Sequence, residues 1–309
     1  MFITQMFKAI ITTLVLGCTL IGFQALSAEY IAHPPFSKNI DADISRLAQS
    51  DEVKPILAGD TEFLTLYSEY MSADFRGVVI LIPDWQSTPT NNAGMNFLRK
   101  ELNNYGYTSY AMTVPDIDWQ AAQDDAAKTI NDSVGTNNET TDANTKPDTS
   151  TQKQPHHADY VEQVNTEVVD NYKLKLVARY EALYQQAAME SENIVVIAQG
   201  TSAGVLLEHY AEFSDSKINA FISLSSYLPN TKRNAKLSQI TSLVTPALLD
   251  IYFATDSNDI LMNLKNRQRW VNRNAKFDYR QRQLFGLRDA PQQHARLSKE
   301  IDGFLRRLF

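Results

Sequence analysis

Hydrophobic positions along this chain change period several times, and each change marks an element. Gly77-Val78-Val79-Ile80-Leu81-Ile82-Pro83 is an unbroken, mostly β-branched run, as expected of a strand covered on both faces in a parallel sheet. Met95 to Asn104 then carries Phe97, Leu98 and Leu102 at helical spacing and stops before Tyr105-Gly106, where glycine can take a left-handed cap. Tyr107 to Val114 reads as the next strand, ended by Pro115, so the three segments predict a right-handed βαβ crossover. A long helix over Tyr160 to Met189 places Val169, Tyr172, Leu176, Tyr180, Leu183 and Ala187 on one face. Further strands are predicted from Ile194, over Ala220 to Leu224, over Pro246 to Phe253 and over Phe277 to Phe285. Helices fill the intervals: one from Thr201 or Ser202 to Tyr210, one over Asp259 to Val271, and a closing one striped by Leu297, Ile301, Phe304 and Leu308. This alternation predicts an α/β fold, a doubly wound and mostly parallel sheet with flanking helices. Ahead of it, Tyr30 to Asp41 reads as an irregular lead. Ile44, Leu47, Ile56, Leu57, Phe63, Leu64 and Leu66 predict short helices broken at Ala58-Gly59-Asp60.

Two stretches depart from this pattern. Met1 to Lys8, an apolar run from Ala9 to Phe23 and then Gln24-Ala25-Leu26-Ser27-Ala28 fit a secretory signal peptide cleaved after Ala28, which predicts a periplasmic or secreted protein. The alternatives are an uncleaved anchor, for which the run is short, and a lipoprotein through Cys18, for which it continues too far. Asp116 to Asp159 is dominated by Asp, Asn, Thr, Gln, Lys and Ser and reads as a disordered insertion. The organisation is therefore a leader over residues 1–28 and a single domain in two parts, 29–115 and 160–309, split by the insertion at 116–159. The insertion leaves the carboxyl end of a strand, the edge where open α/β sheets bind ligands. It lacks the apolar face that interfacial lipase action needs.

Composition narrows the chemistry. Cys18, the sole cysteine, lies inside the leader, so a mature chain holds no disulfide, cysteine nucleophile or thiolate zinc site. A net charge of −7 argues against nucleic acid, although Leu261 to Phe309 holds twelve Lys and Arg against four Asp and Glu. That basic stretch reads as solvated helix faces and strand edges, or else as a weak contact with anionic surfaces. No cofactor or metal is expected: His156-His157 has no other ligands nearby and reads as solvated, and His209 reads as a surface or packing residue.

The segment with most chemical content is Ile194-Val195-Val196-Ile197-Ala198-Gln199-Gly200-Thr201-Ser202-Ala203-Gly204, a buried strand running into small residues and a helix. Gly200-Thr201-Ser202-Ala203-Gly204 fits G-x-S-x-G, in which a strained turn lifts a serine above the sheet. If the strand ends at Ala198, the apex is Gly200 and no nucleophile stands there. If it runs on through Gln199, the apex is Ser202 and acyl transfer becomes available. Otherwise the Ser202 hydroxyl caps the helix. Ser202, Asp256 and His294 follow hydrolase triad order, with Asp259 the alternative acid. Both aspartates also suit plain turn and cap chemistry in Asp256-Ser257-Asn258-Asp259.

The order of elements resembles an α/β-hydrolase, and more closely a family of secreted, hydrolase-like bacterial proteins known as a domain of unknown function. The resemblance rests on Ile56-Leu57-Ala58-Gly59-Asp60 with Phe63 to Tyr67, Gly77 to Asp84, Leu102 to Pro115, Ala198 to Ala203, and Pro246 to Tyr252. It implies that glycine replaces the nucleophile, with Gly200 at the apex. It also implies an altered oxyanion loop, Pro83-Asp84-Trp85 standing where His-Gly is usual, and no histidine in Gly286-Leu287-Arg288-Asp289 after the last strand. The expectation is a non-catalytic hydrolase-like protein that binds a small molecule or a protein partner. The alternative is a serine hydrolase of small esters or thioesters using Ser202, Asp256 and His294.

Overall fold

The two most apolar runs take the centre of the sheet, where both faces are covered. In a computed structural model, which describes residues 35–119, 164–213 and 217–309, β3 (Gly77–Ile82) and β5 (Ile194–Gln199) pair in parallel, and every residue of both is buried. β4 (Tyr107–Met112) flanks β3, and β6 (Ala220–Leu224), β7 (Ala247–Phe253) and β8 (Tyr279–Leu284) continue beyond β5, all parallel. Outside β4 lie β2 (Thr61–Ser68) and then β1 (Val53–Ala58), joined antiparallel, giving the order β1-β2-β4-β3-β5-β6-β7-β8.

Because side chains alternate across a strand, β3 sends Val78, Ile80 and Ile82 into one core and Val79 and Leu81 into the other. The first core is closed by α3 (Thr166–Glu190) and α4 (Gly200–Glu212), with α5 (Thr231–Ile240) and α6 (Asn258–Arg273) beyond them. The second is closed by α1 (Phe36–Leu47), α2 (Met95–Asn104) and α7 (Pro291–Leu305). No helix among the described residues is long and apolar enough to cross a membrane.

Four expectations need correcting. Of the segments expected as short helices, the one holding Ile44 and Leu47 is helical, within α1, but Ile56 to Leu66 belong to the β1–β2 hairpin, closed by the pair Ala58↔Thr61 with Gly59 at φ +59°. Gly59-Asp60 is a two-residue hairpin loop, and Phe63 enters one core while Leu66 enters the other, which is a strand's division of faces. Helix α1 begins at Phe36, inside the lead expected to be irregular, with extended Pro35 as its N-cap. Helix α5 was not predicted: among its residues only Leu237 and Ser238 are buried, too little for a periodic signal, and its start rests on the Asn230 side chain accepting from the Arg233 N–H. Leu308, expected on the buried stripe of the closing helix, lies past the end of that helix and is exposed. The leader, His33, residues 120–163 of the insertion region and His156-His157 lie outside the described residues.

Under β7 sits a buried ion pair absent from any motif. Arg267 donates from Nη1 to both Asp250 oxygens, at 3.1 and 2.9 Å, from Nε to Asn263 Oδ1 at 2.7 Å and from Nη2 to the Ser226 carbonyl at 2.9 Å. The Tyr279 hydroxyl gives Asp250 a further bond at 3.0 Å. In the same basic stretch, Lys276, Arg282, Arg288 and Arg306 pair with Asp278, Glu300, Asp256 and Asp302.

Candidate functional site

Strand β5 passes into α4 with no loop between them, so the chain must reverse at one residue. That residue is Gly200, at φ +57°, a conformation that side chains with a Cβ adopt only under strain. A Cβ built there would overlap the carboxyl group of Asp84, whose three terminal atoms are its nearest neighbours. The bend apex is therefore a bare α-carbon roofed by a carboxyl group. The strand does run through Gln199, yet the apex is Gly200: the expectation that a longer strand would bring Ser202 to the summit fails because the helix starts directly after the strand.

Ser202 is the third residue of α4, fully buried, with its hydroxyl 2.7 Å from the Tyr172 hydroxyl of α3. It is not a helix cap either, since Gln199 holds that position. Gly204 has a separate task. A Cβ there would overlap the Tyr227 carbonyl, so the glycine lets the loop after β6 cross the helix closely, and the Tyr227 N–H reaches the Gly200 carbonyl at 3.3 Å.

Asp84 follows β3 after Pro83, and the far end of its loop is tied to Gln199 of β5. Asn91 Nδ2 donates to Gln199 Oε1 at 3.2 Å, and Gln199 Nε2 donates to the Ala93 carbonyl at 3.4 Å. Asp84 Oδ1 then accepts two backbone hydrogen bonds, from the Thr201 N–H at 2.7 Å and from the Trp85 N–H at 2.8 Å. In a working hydrolase the oxyanion is held by the N–H after the nucleophile and an N–H from the loop after the third strand. In this chain Thr201 follows the apex glycine and Trp85 lies on the loop after β3, and a carboxyl oxygen of the chain itself accepts from both N–H groups. Burial pushes the Asp84 carboxyl above its ordinary 3.8, opposed by these N–H donors and by the positive charge of Arg288.

That balance gives a signed prediction. An acid with a raised folded-state value holds its proton longer when folded than when unfolded, so wild type should lose stability relative to Asp84→Asn as pH rises from about 3.8 through the raised value. Denaturant midpoints across that interval check it; a gap that widens in favour of wild type with rising pH would contradict it.

The remaining sequence candidates do not assemble. Asp256 does stand just beyond β7, where the triad acid was expected, but its Oδ1 accepts from Arg288 Nε at 2.9 Å and Nη2 at 2.5 Å, and its Oδ2 from the Phe253 N–H at 3.0 Å. Its partner is thus an arginine on the loop after β8, the loop on which a catalytic histidine was sought. His294, in the first turns of α7, sits 2.8 Å through Nε2 from the Arg288 carbonyl. A carbonyl only accepts, so that nitrogen carries the proton and cannot serve as base in this arrangement. The ring packs against Phe97 at 5.6 Å, away from Ser202. Asp259 is exposed in the first turn of α6 and lines a crevice beside the elbow. Among the described residues no group of three or more His, Cys, Asp or Glu side chains is arranged to hold a metal ion.

Sequence reasoning named Asp84, Trp85 and Gly200 without their relation, and it missed Arg288 and Tyr172 as partners. Arg288 was legible only as a missing histidine. Tyr172 was read as core stripe, which its ring is; its hydroxyl gave no signal.

The crevice, of about 610 Å³, lies at the carboxyl edge of the sheet between the loops after β3 and β6 and the start of α6. Trp85, Trp119, Tyr227, Asn234 and Met262 are among its walls. Similar folds include Est1E from Butyrivibrio proteoclasticus, at TM-score 0.55 and 8% identity over 83% of this chain and 98% of that one. A dienelactone hydrolase from Anabaena variabilis gives TM-score 0.53 at 11% identity over 83% and 97%. A soluble variant of monoglyceride lipase from Saccharomyces cerevisiae, in complex with a substrate analogue, gives 0.51 at 9% over 82% and 94%. At such identities the likeness establishes the α/β-hydrolase fold and nothing finer. No curated protein matches this chain in sequence. Residues 26–307 match the family described as protein of unknown function (DUF3530), and to that family the chain belongs.

Proposed function

We propose that this protein uses the α/β-hydrolase fold to bind, with no hydrolytic centre, and that its ligand enters the crevice at the carboxyl edge of the sheet. The observation that carries this reading is the Asp84 carboxylate seated on the Thr201 and Trp85 amides above Gly200. A substrate carbonyl could reach those donors only by displacing a carboxylate, and nothing at the apex could then attack it. The rival reading, Ser202 as nucleophile, has to free a hydroxyl that is fully buried against Tyr172 and to bring it an imidazole now bonded to a carbonyl.

Labelling of the full chain with a fluorophosphonate, beside an active serine esterase as control, tests the proposal. No adduct is expected at any serine. Stoichiometric labelling removed by Ser202→Ala would overturn it. The leader makes this an exported binding protein in the same proposal, and the exported form should begin at Glu29 on N-terminal sequencing; an intact Met1 terminus on the exported form would contradict cleavage.

A further inference from the structure

The walls of the crevice say what kind of ligand it suits. Trp85 is almost fully buried, fixed edge-to-face against Tyr172 at 5.9 Å and against Trp119 at 5.5 Å. Trp119 is 52% exposed, so its indole rests against Trp85 with about half of its surface open to solvent. A second cavity, of about 580 Å³, shares Trp85, Gln86 and Trp119 with the first. The two adjoin at the tryptophan pair and together form a groove longer than a single small ring would require.

Charge excludes several ligands. Among the described residues no Lys or Arg lines either cavity; the acidic side chains there are the carboxylates of Asp259 in the first and Asp116 in the second. Asp116 is already engaged by the Ser37 N–H, at 2.8 Å, and by the Ser37 hydroxyl. A phosphate, a carboxylate or a nucleic acid would meet negative charge and no cation. An acyl chain fits the indoles but would strip water from Gln86, Asn234, Asn266 and Ser257 without replacing their hydrogen bonds. A peptide added as a strand needs an open sheet edge, whereas this groove lies across the strand ends.

A neutral carbohydrate chain meets every constraint. Its C–H faces carry partial positive charge and suit the negative face of an indole. Its hydroxyls both donate and accept, which suits side-chain amides and an exposed carboxylate. Asn234 illustrates the fit: its Oδ1 already accepts from the Leu228 N–H at 3.1 Å, which leaves its amide nitrogen to donate. We infer that the groove running past Trp119 is a binding site for an uncharged oligosaccharide, a few sugar rings long, with Trp119 as the stacking platform and Asp259, Asn234 and Asn266 as the polar contacts. This rests on the proposed binding function and adds the ligand class.

The test is calorimetric titration of the full chain with neutral hexasaccharides of β-1,4-linked glucose, β-1,4-linked N-acetylglucosamine and α-1,4-linked glucose. Decanoate, a Ser/Ala hexapeptide and polygalacturonate serve as the competing classes. At least one neutral hexasaccharide should bind with a sub-millimolar Kd that is insensitive to salt and should quench tryptophan fluorescence. Trp119→Ala should weaken it roughly tenfold or more, Trp119→Phe less, and Asp259→Asn or Asn266→Ala several-fold. All three positions are exposed enough for the variants to fold, which circular dichroism checks. No neutral sugar bound at millimolar concentration, tighter binding of decanoate, peptide or the polyanion, or binding indifferent to Trp119→Ala would each overturn the inference. Fluorophosphonate labelling would instead remove the non-catalytic reading and leave the sugar titration to stand on its own.

Discussion

Gly200→Ala is expected to lower the stability of the fold by roughly 3 kcal/mol or more, from two separable sources. One is backbone strain, because alanine at φ +57° sits where only glycine rests without penalty. The other is steric: the new methyl meets the Asp84 carboxyl group, which can retreat only by leaving the Thr201 and Trp85 N–H groups. A double-mutant cycle separates them. Asp84→Ala in the Gly200→Ala background should recover the steric part and leave the strain, giving a coupling of about 1–2 kcal/mol in denaturant unfolding. Additive effects, or a Gly200→Ala variant within about 0.5 kcal/mol of wild type, would mean that Gly200 is not the crowded apex.

Arg267→Ala should be at least as damaging, at about 3–5 kcal/mol, through a different cause. It leaves Asp250 charged, with no exposure to solvent and only the Tyr279 hydroxyl as a side-chain donor, and it strips the guanidinium bonds from Asn263 and from Ser226. Asp250→Asn is the complementary error, an uncompensated buried cation. Replacing both together with apolar residues, Asp250→Leu with Arg267→Met, should cost markedly less than either single change, since neither then leaves a lone charge. Unfolding midpoints check the series; an Arg267→Ala loss near 1 kcal/mol would show that the pair does not carry the load its burial implies.

How much of this was readable beforehand depends on what each residue signals. β3 and β5 announce themselves because a strand covered on both faces favours apolar residues at successive positions, as in Val78 to Ile82 and Ile194 to Ala198. β1 and β2 do not, since their apolar residues divide between two cores and no face repeats often enough. Helix α5 is hidden for the opposite reason, with almost nothing buried. At the elbow the ambiguity was one of register: Gly200 and Ser202 both sit among small residues, and only the φ of a single residue separates the two readings.

The polar side of the site was less legible still. Asp84 reads as a turn residue after a strand, and the fact that its carboxylate lands on the Thr201 amide, more than a hundred positions away, depends on the sheet bringing β3 beside β5. Arg288 and Asp256 are likewise brought together by neighbouring strand ends, those of β8 and β7. Triad order in the sequence, Ser202 then Asp256 then His294, proved no guide to the bonds made: Ser202 meets Tyr172, whereas Asp256 and His294 each meet Arg288, one at its guanidinium and the other at its carbonyl.

A crystal structure of the mature chain, at a resolution that separates a carboxylate from a water, tests the central claim most directly. Gly200 is expected at the bend with positive φ, with an Asp84 oxygen within hydrogen-bond reach of both the Thr201 and Trp85 nitrogens. A Ser202 hydroxyl at that bend, bonded to an imidazole and facing two free N–H groups, would contradict it.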